Sequence, residues 1–480
     1  MTKLPETEEE FPIPASKRPK LSSWDFYHKT LGSPKFVVAP MVDASECAWR
    51  LLGLRHSADL CYSPMWHSTC FVKDEKYRAN ALQSCKEDRP LIIQFCGNDP
   101  QTLLAAGLLA QDHCDAIDIN LGCPQSIASR GHYGAFLQDE WELLDKIVST
   151  LHRELSVPVT CKIRVFESLE KTIKYAQMLE KAGAQLLTVH GRTREQKGAN
   201  TGLANWEYIK AVRDNVKVPM FANGNIQCLE DAYRCIEATG VQGVMSAEGH
   251  LYNPAIFDGV NPVSWDMALE YLDILEEYPA PNGYIRGHLF KIFHHLLQIK
   301  ENLEIRMELA EANDLKEFRS VVVKLKEKYQ KFHDGIEIWK NPDSLEETYD
   351  LKLPPWICQP YVRPPYSEHL QKLAEAQKRS ETEKREYFDE DGNQISRKKL
   401  KKLEKKQRRK AGKIPQEKPP TCSNETCNNL MGTKCEVNKL CRACCKEKCG
   451  NEGLDCPGHK IFIATNRETK RAKLDLENTE

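Results

Sequence analysis

From Pro34 to about Pro262, short apolar runs alternate with amphipathic segments of helical period. Eight runs can be counted. The first four are Phe36–Ala39, Leu60–Tyr62, Leu91–Phe95 and Ala116–Ile119; the second four are Val157–Val165, Leu186–His190, Val218–Ala222 and Gly243–Met245. Runs this short and apolar read as strands buried on both faces, and parallel strands need the intervening helices as crossovers. Eight such units over roughly 230 residues match a (β/α)8 TIM barrel, with a doubly wound sheet as the alternative.

Beyond Pro262 the period changes. Ile285, Leu289, Phe293 and Leu296 fall on one helical face, as do Leu315, Phe318, Val322, Leu325 and Tyr329, so residues 263–334 are expected to form a small helical bundle. Residues 335–366 hold Pro342, Pro354, Pro355, Pro360, Pro364 and Pro365 with Trp339, Trp356 and Tyr361 between them. Proline at that density opposes regular structure while the aromatics need a surface, which predicts an ordered strap. Residues 1–33 and 461–480 are polar and without period, and read as a flexible arm and a flexible tail.

Composition adds an asymmetry. The 480 residues carry a net charge of −1, yet Arg397–Lys413 holds eleven Lys or Arg against the single Glu404. That run makes 367–420 a charged linker or helix, suited either to nuclear import or to RNA phosphates. Nineteen cysteines in a chain with no apolar leader predict reduced thiols and a cytoplasmic or nuclear location, and no apolar run is long enough to span a membrane. Cys422, Cys427, Cys435, Cys441, Cys444, Cys445, Cys449, Cys456 and His459 place nine metal-ligand candidates within 38 residues. Two tetrahedral zinc ions need eight ligands, so residues 421–460 are expected to be a structural zinc module that contacts RNA or a protein partner, an iron-sulfur cluster being the rival.

The chemistry concentrates at the predicted strand ends. Asp118-Ile119-Asn120-Leu121-Gly122-Cys123-Pro124-Gln125 sets a thiol and a carboxamide on a tight loop just past the fourth strand, where barrel enzymes keep their reacting groups. Pro40-Met41-Val42 closes the first strand, Gln94 lies near the end of the third and Lys162 in the fifth. His190-Gly191-Arg192-Thr193 ends the sixth, Asn223-Gly224-Asn225 the seventh and Ala247-Glu248-Gly249 the eighth. Together they describe a barrel mouth for an anionic or redox cofactor.

Ala39-Pro40-Met41-Val42, the Asn120–Gln125 loop, Lys162-Ile163-Arg164, His190–Thr193 and Asn223–Asn225 resemble the flavin-dependent tRNA-dihydrouridine synthases, and Gly131–Leu137 resembles the eukaryotic branch acting on D-loop uridines 16 and 17. The resemblance implies FMN at the barrel mouth, held by Pro40, Met41, Val42, Gln94, Lys162 and His190. Asn223, Gly224, Asn225, Ala247 and Glu248 would meet its phosphate. NADPH or NADH would serve as hydride donor and tRNA as substrate. Where many bacterial members carry Gly-Arg, this chain has Ala247-Glu248, so only backbone N–H groups could serve the phosphate there. Cys123 is implied as the proton donor and Asn120 as a contact to the uracil edge, while Arg192, Arg286 and Lys291 are charges suited to tRNA phosphates. A flavin oxidoreductase acting on a free pyrimidine, and a tRNA-binding module without catalysis, are the competing readings.

Overall fold

The computed structural model describes residues 20–340 apart from 199 and 200, then 352–361, two short strands at 387–388 and 394–395, and most of 421–465. The Arg397–Lys413 run lies outside the described residues. The chain divides after Ala374 into two compact units.

The first unit is built on a closed barrel of eight parallel strands in sequential order. They are β1 (Phe36–Val38), β2 (Leu60–His67), β3 (Leu91–Cys96), β4 (Ala116–Leu121), β5 (Val159–Arg164), β6 (Leu186–His190), β7 (Met220–Asn223) and β8 (Gly243–Ser246). β8 closes on β1 with Val38 opposite Ser246. Crossover helices such as Trp141–Glu154 and Leu169–Ala182 bury one apolar stripe each against the strands, and the second is stopped by Gly183 in the left-handed conformation at φ 113°. The doubly wound alternative is thereby excluded.

The N-terminal arm differs from expectation over residues 20–33. Ser22 caps a short helix at Ser23–Asp25, and Phe26, Tyr27 and Leu31 are buried with Val37, Leu60, Ile92, Ala116, Leu186 and Phe221. These strand residues lie at or near the N-terminal ends of their strands, so residues 20–33 plug the floor of the barrel, opposite its mouth.

Past the barrel, helices Ser264–Glu277, Asn282–Ile292, Leu303–Glu311 and Leu315–His333 pack on it through a core that is continuous with the barrel's own. The strap residues 352–361 lie on these helices: Ile357 bridges to Val263, and the Trp356 ring stands 6.0 Å from Tyr329 and 6.3 Å from Phe332. In the second unit, helix Arg442–Glu452 and an antiparallel pair, Asp455–Cys456 with Ile461–Phe462, surround the cysteines. The unit therefore runs past residue 460 into what composition reads as tail.

Candidate active site

Cys123 sits two residues past the end of β4, half-buried and unpaired with any other cysteine. Its loop is clamped from both sides. Ahead of it, Asn120 Oδ1 accepts hydrogen bonds from the Gly122 and Cys123 amides at 3.2 and 2.9 Å, the side-chain-to-backbone turn that asparagine forms readily. Behind it, the Ala135 amide donates to the Cys123 carbonyl at 3.1 Å. Gly134, at φ 66°, approaches so closely that a Cβ there would lie 2.8 Å from Cys123 O and 3.1 Å from Cys123 Cβ, so only glycine fits.

Beneath the loop runs a buried chain of hydrogen bonds. Asn120 Nδ2 donates to Gln94 Oε1 at 2.7 Å, Gln94 Nε2 donates to Asp118 Oδ2 at 2.7 Å, and Thr160 Oγ1 donates to Asp118 Oδ1 at 2.6 Å. Burial pushes the Asp118 carboxyl up to about 6, against the hydrogen bonds from Thr160 and Gln94 and the charge of Lys162. The expectation set Gln94 against the flavin and Asn120 against uracil. Here the oxygen and one N–H of each amide are committed to this chain, leaving one N–H apiece for a ligand. The register pairs Gln94 with Asp118 and Asn120 with Lys162, which is why these side chains meet.

The other side of the mouth is basic. Lys162 Nζ donates to Asn223 Oδ1 at 2.8 Å, and burial, aided by Arg164, lowers its pKa to about 7. Arg164 donates to the carbonyls of Gly122, Thr193 and Gln196 at 2.8, 2.7 and 3.0 Å, tying the thiol loop to the loop after β6. Arg192 Nη1 donates to His190 Nε2 at 3.0 Å and Arg192 Nη2 to Asn225 Oδ1 at 2.9 Å. Burial and the three cations Lys162, Arg164 and Arg192 hold His190 well below its usual pKa, so the ring is neutral and Nε2 accepts. Gly224, at φ 113°, lies where a Cβ would stand 2.6 Å from Ala204 Cβ and 3.1 Å from the His190 ring.

Arg164, His190, Arg192, Asn223, Gly224 and Asn225 border a cavity of about 690 Å³ lined also by Pro40, Pro124, Gln125, Ala247 and Glu248, among others, whereas Gln94, Cys123 and Lys162 do not line it. Arg192 belongs to this cavity, on the side where the resemblance puts the cofactor phosphate, rather than to an outer tRNA surface. Met41 is half-buried and Val42 exposed, and neither lines the cavity.

Residues 37–337 match the family model for dihydrouridine synthases. The chain belongs to this family. It is 51% identical over 460 residues to a Mus musculus protein named tRNA-dihydrouridine(16/17) synthase-like, covering 95% of this chain and 93% of that one. It is 47% identical to the tRNA-dihydrouridine(16/17) synthase of Schizosaccharomyces pombe, covering 72% of this chain and 92% of that one. Identity to a Homo sapiens protein named for tRNA positions 20a/20b falls to 34%, over 61% of this chain and 90% of that one.

Two charges expected to face tRNA in this synthase-family chain have other partners. Arg286 Nη2 donates to the Ala312 carbonyl, with the guanidinium 5.8 Å from the Phe318 ring, so it braces two helices of the bundle. Lys291 is half-buried, donates to the Gly287 carbonyl at 3.0 Å and has its pKa lowered by burial. Conversely, Thr160 was not singled out from sequence, and Asp118 and Arg164 entered only as parts of motifs, with no role of their own. Lys162 and Arg164, two apart on one strand, share its inward face, and that spacing is a signal for the second cation.

In the second unit the nine metal-ligand candidates gather into two groups, Cys422, Cys427, Cys441 and Cys444, and Cys435, Cys445, Cys456 and His459. Cys449 falls outside both, which agrees with one candidate in excess of eight.

Proposed function

We propose that this chain reduces uridine to 5,6-dihydrouridine in the D-loop of tRNA, at positions 16 and 17, with FMN as resident cofactor and NAD(P)H as the source of reducing equivalents. The observation that carries this reading is a half-buried thiol, clamped on both sides, beside a basic cavity at the mouth of a barrel of this family. FMN is a flat ring bearing a phosphate, and the donor set fits it. Arg192, the Asn223–Asn225 turn and the backbone after β8 offer cationic and N–H donors for the phosphate, which meets the difficulty raised by Glu248. Lys162, buried and short of a full negative partner, suits the electron-rich part of the ring.

When bound, FMN supplies a hydride for C6 of the uracil ring. Saturating the C5=C6 bond then requires a proton at C5, and Cys123 Sγ–H gives it up, the S–H bond breaking as C5–H forms. Lys162, opposite Asn120 on the neighbouring strand, and Arg164, bonded to the Gly122 carbonyl, are the cations placed to offset the charge left on sulfur. Asn120 and Gly134 hold the backbone of Cys123 in place just past the end of β4. The remaining N–H of Asn120 is the one this residue can offer the base. A stacked uridine cannot reach this depth, so the base is extruded from the D-loop. The helices of residues 263–334 are read as the tRNA-binding surface, and the cysteine-rich unit as a structural zinc module.

The test is to map dihydrouridine in tRNA from cells lacking the protein, rescued with wild type or Cys123→Ala. Wild type restores the modification at 16 and 17, and the variant falls short by about 10²- to 10⁴-fold in rate, the usual worth of a positioned proton donor. Unchanged dihydrouridine at both positions in the null cells, or activity on free uracil equal to that on tRNA, would overturn the assignment.

A further inference from the structure

The core of the cysteine-rich unit, among the described residues, is Cys422, Cys435, Cys441, Cys445, Cys449 and Cys456 with Leu440. Cysteine in place of aliphatic side chains gives such a segment no way to hold a fold except through its sulfurs. The sulfur spacings say how. Cys427 and Cys441 Sγ are 3.7 Å apart, Cys435 Sγ lies 3.8 Å from both Cys445 and Cys456 Sγ, and Cys456 Sγ lies 3.7 Å from His459 Nδ1. Sulfurs bonded to each other stand about 2.05 Å apart. Four ligands around one zinc ion, each with Zn–S of about 2.3 Å, stand about 3.8 Å apart along the edges of the tetrahedron.

Donors also converge on these sulfurs. The Cys441 amide lies 3.2 Å from Cys422 Sγ, Asn424 Nδ2 lies 3.3 Å from Cys444 Sγ and Asn438 Nδ2 lies 3.4 Å from Cys445 Sγ. N–H groups aimed at sulfur favour metal-bound thiolate over thiol.

We propose that residues 422–459 bind two zinc ions with crossed ligands: one by Cys422, Cys427, Cys441 and Cys444, four sulfurs, and one by Cys435, Cys445, Cys456 and His459, three sulfurs and a nitrogen. This rests on the zinc reading above and assigns its connectivity. Along the chain, Cys435 of the second set falls inside the first. Cys444 and Cys445 are neighbours on helix Arg442–Glu452, where successive side chains diverge by about 100°, so one turn of helix serves both ions. Cys449, one turn beyond Cys445 with its sulfur 3.9 Å away, is the residue left over. Because each set encloses part of the other along the chain, closing one site draws the ligands of the other together, and the two ions are expected to bind together.

The full-length protein is to be analysed by native mass spectrometry, and by cadmium NMR after metal exchange. The expected result is two zinc ions per chain, and two cadmium resonances separated as four-sulfur and three-sulfur-one-nitrogen sites differ. Cys449→Ser keeps both ions, whereas Cys422→Ser and Cys435→Ser each fall below one ion per chain. Two four-sulfur resonances, or loss of metal in Cys449→Ser, would show that Cys449 replaces His459 and would overturn the connectivity while leaving zinc in place. Loss of one ion only in Cys422→Ser would overturn the joint binding of the two ions. No zinc in the wild-type protein, or iron with visible absorption, would overturn the zinc reading itself. The cadmium measurement on wild type tests the ligand sets even if the variants fail to fold.

Discussion

In the proposed reaction Cys123 is the proton donor, and its placement is inherited from Asp118 through Gln94 and Asn120. An amide at position 118 keeps one acceptor oxygen where the carboxylate has two, so one of the hydrogen bonds from Gln94 and Thr160 must reverse or be lost, and where the N–H faces Gln94 that amide has to turn over. Asn120 would then lose its fixed orientation, and with it the acceptor for the Cys123 amide. Asp118→Asn is therefore expected to lower kcat for uridine reduction by about 10- to 100-fold through misplacement, with KM for tRNA nearly unchanged. Wild type should show an acid limb near pH 6, where burial has pushed the Asp118 carboxyl, and the variant should lack it. The same groups set stability. Asp118, raised from 3.8 to about 6, contributes stability that is present below pH 3.8 and lost as pH rises through 6. Lys162, lowered from 10.5 to about 7, contributes stability that is present above pH 10.5 and lost as pH falls through 7. Urea denaturation of the cofactor-free protein should thus find a minimum between about pH 6 and 7, and Lys162→Met should remove the rise on its alkaline side. At this scale the thiol was legible, because Gly-Cys-Pro after an alternating run marks a strand end. The partners of Gln94 and Asn120 were not, because either amide end fits many neighbours and only the register decides which it meets.

The eight strands were legible from apolar runs because a parallel barrel buries both faces of each. β2 was read short, as the apolar run Leu60–Tyr62, which Ser63 and Pro64 interrupt. The structure carries the strand on to His67 by shifting register between Tyr62 and Met65. The floor plug was missed because Phe26, Tyr27 and Leu31 are too few and too close to show a period. Phe26 is nonetheless fully buried. Phe26→Ala should cost about 3–5 kcal/mol, as large-to-small changes at buried aromatics do, read as a lower urea midpoint with an unchanged slope. The joint between barrel and bundle is likewise invisible in sequence. The Trp49 ring stacks on His288 at 3.8 Å and donates Nε1–H to His250 Nδ1 at 3.0 Å, while Glu46 accepts from Tyr271 OH at 2.6 Å and meets His288 Nε2 at 3.1 Å. His288 and Glu46 are 242 residues apart and both buried. His288→Ala leaves the buried Glu46 carboxylate without that hydrogen-bond partner and should destabilise the first unit by about 1–3 kcal/mol, while His288→Met with Glu46→Gln costs less. Urea midpoints of the two variants compare them directly.

For the whole molecule, the sequence separated a large α/β unit from a small cysteine-rich one by composition alone. It counted the nine candidate ligands, but the assignment of each to a site needed the fold, since adjacent Cys444 and Cys445 part company only on a helix. The two units close separate cores, one aliphatic and aromatic, the other sulfur. Their stabilities should respond to different agents. In calorimetry of the full chain, a zinc chelator should abolish the transition of residues 421–465 and leave that of the barrel and bundle unmoved, because the apolar burial that holds the latter does not depend on metal. Removing FMN should do the reverse, lowering the barrel transition by the linkage of a ligand that binds only the folded state. A single transition that shifts under both treatments would mean that the two cores unfold as one. The metal would then support the active site through the barrel's stability rather than through a separate module.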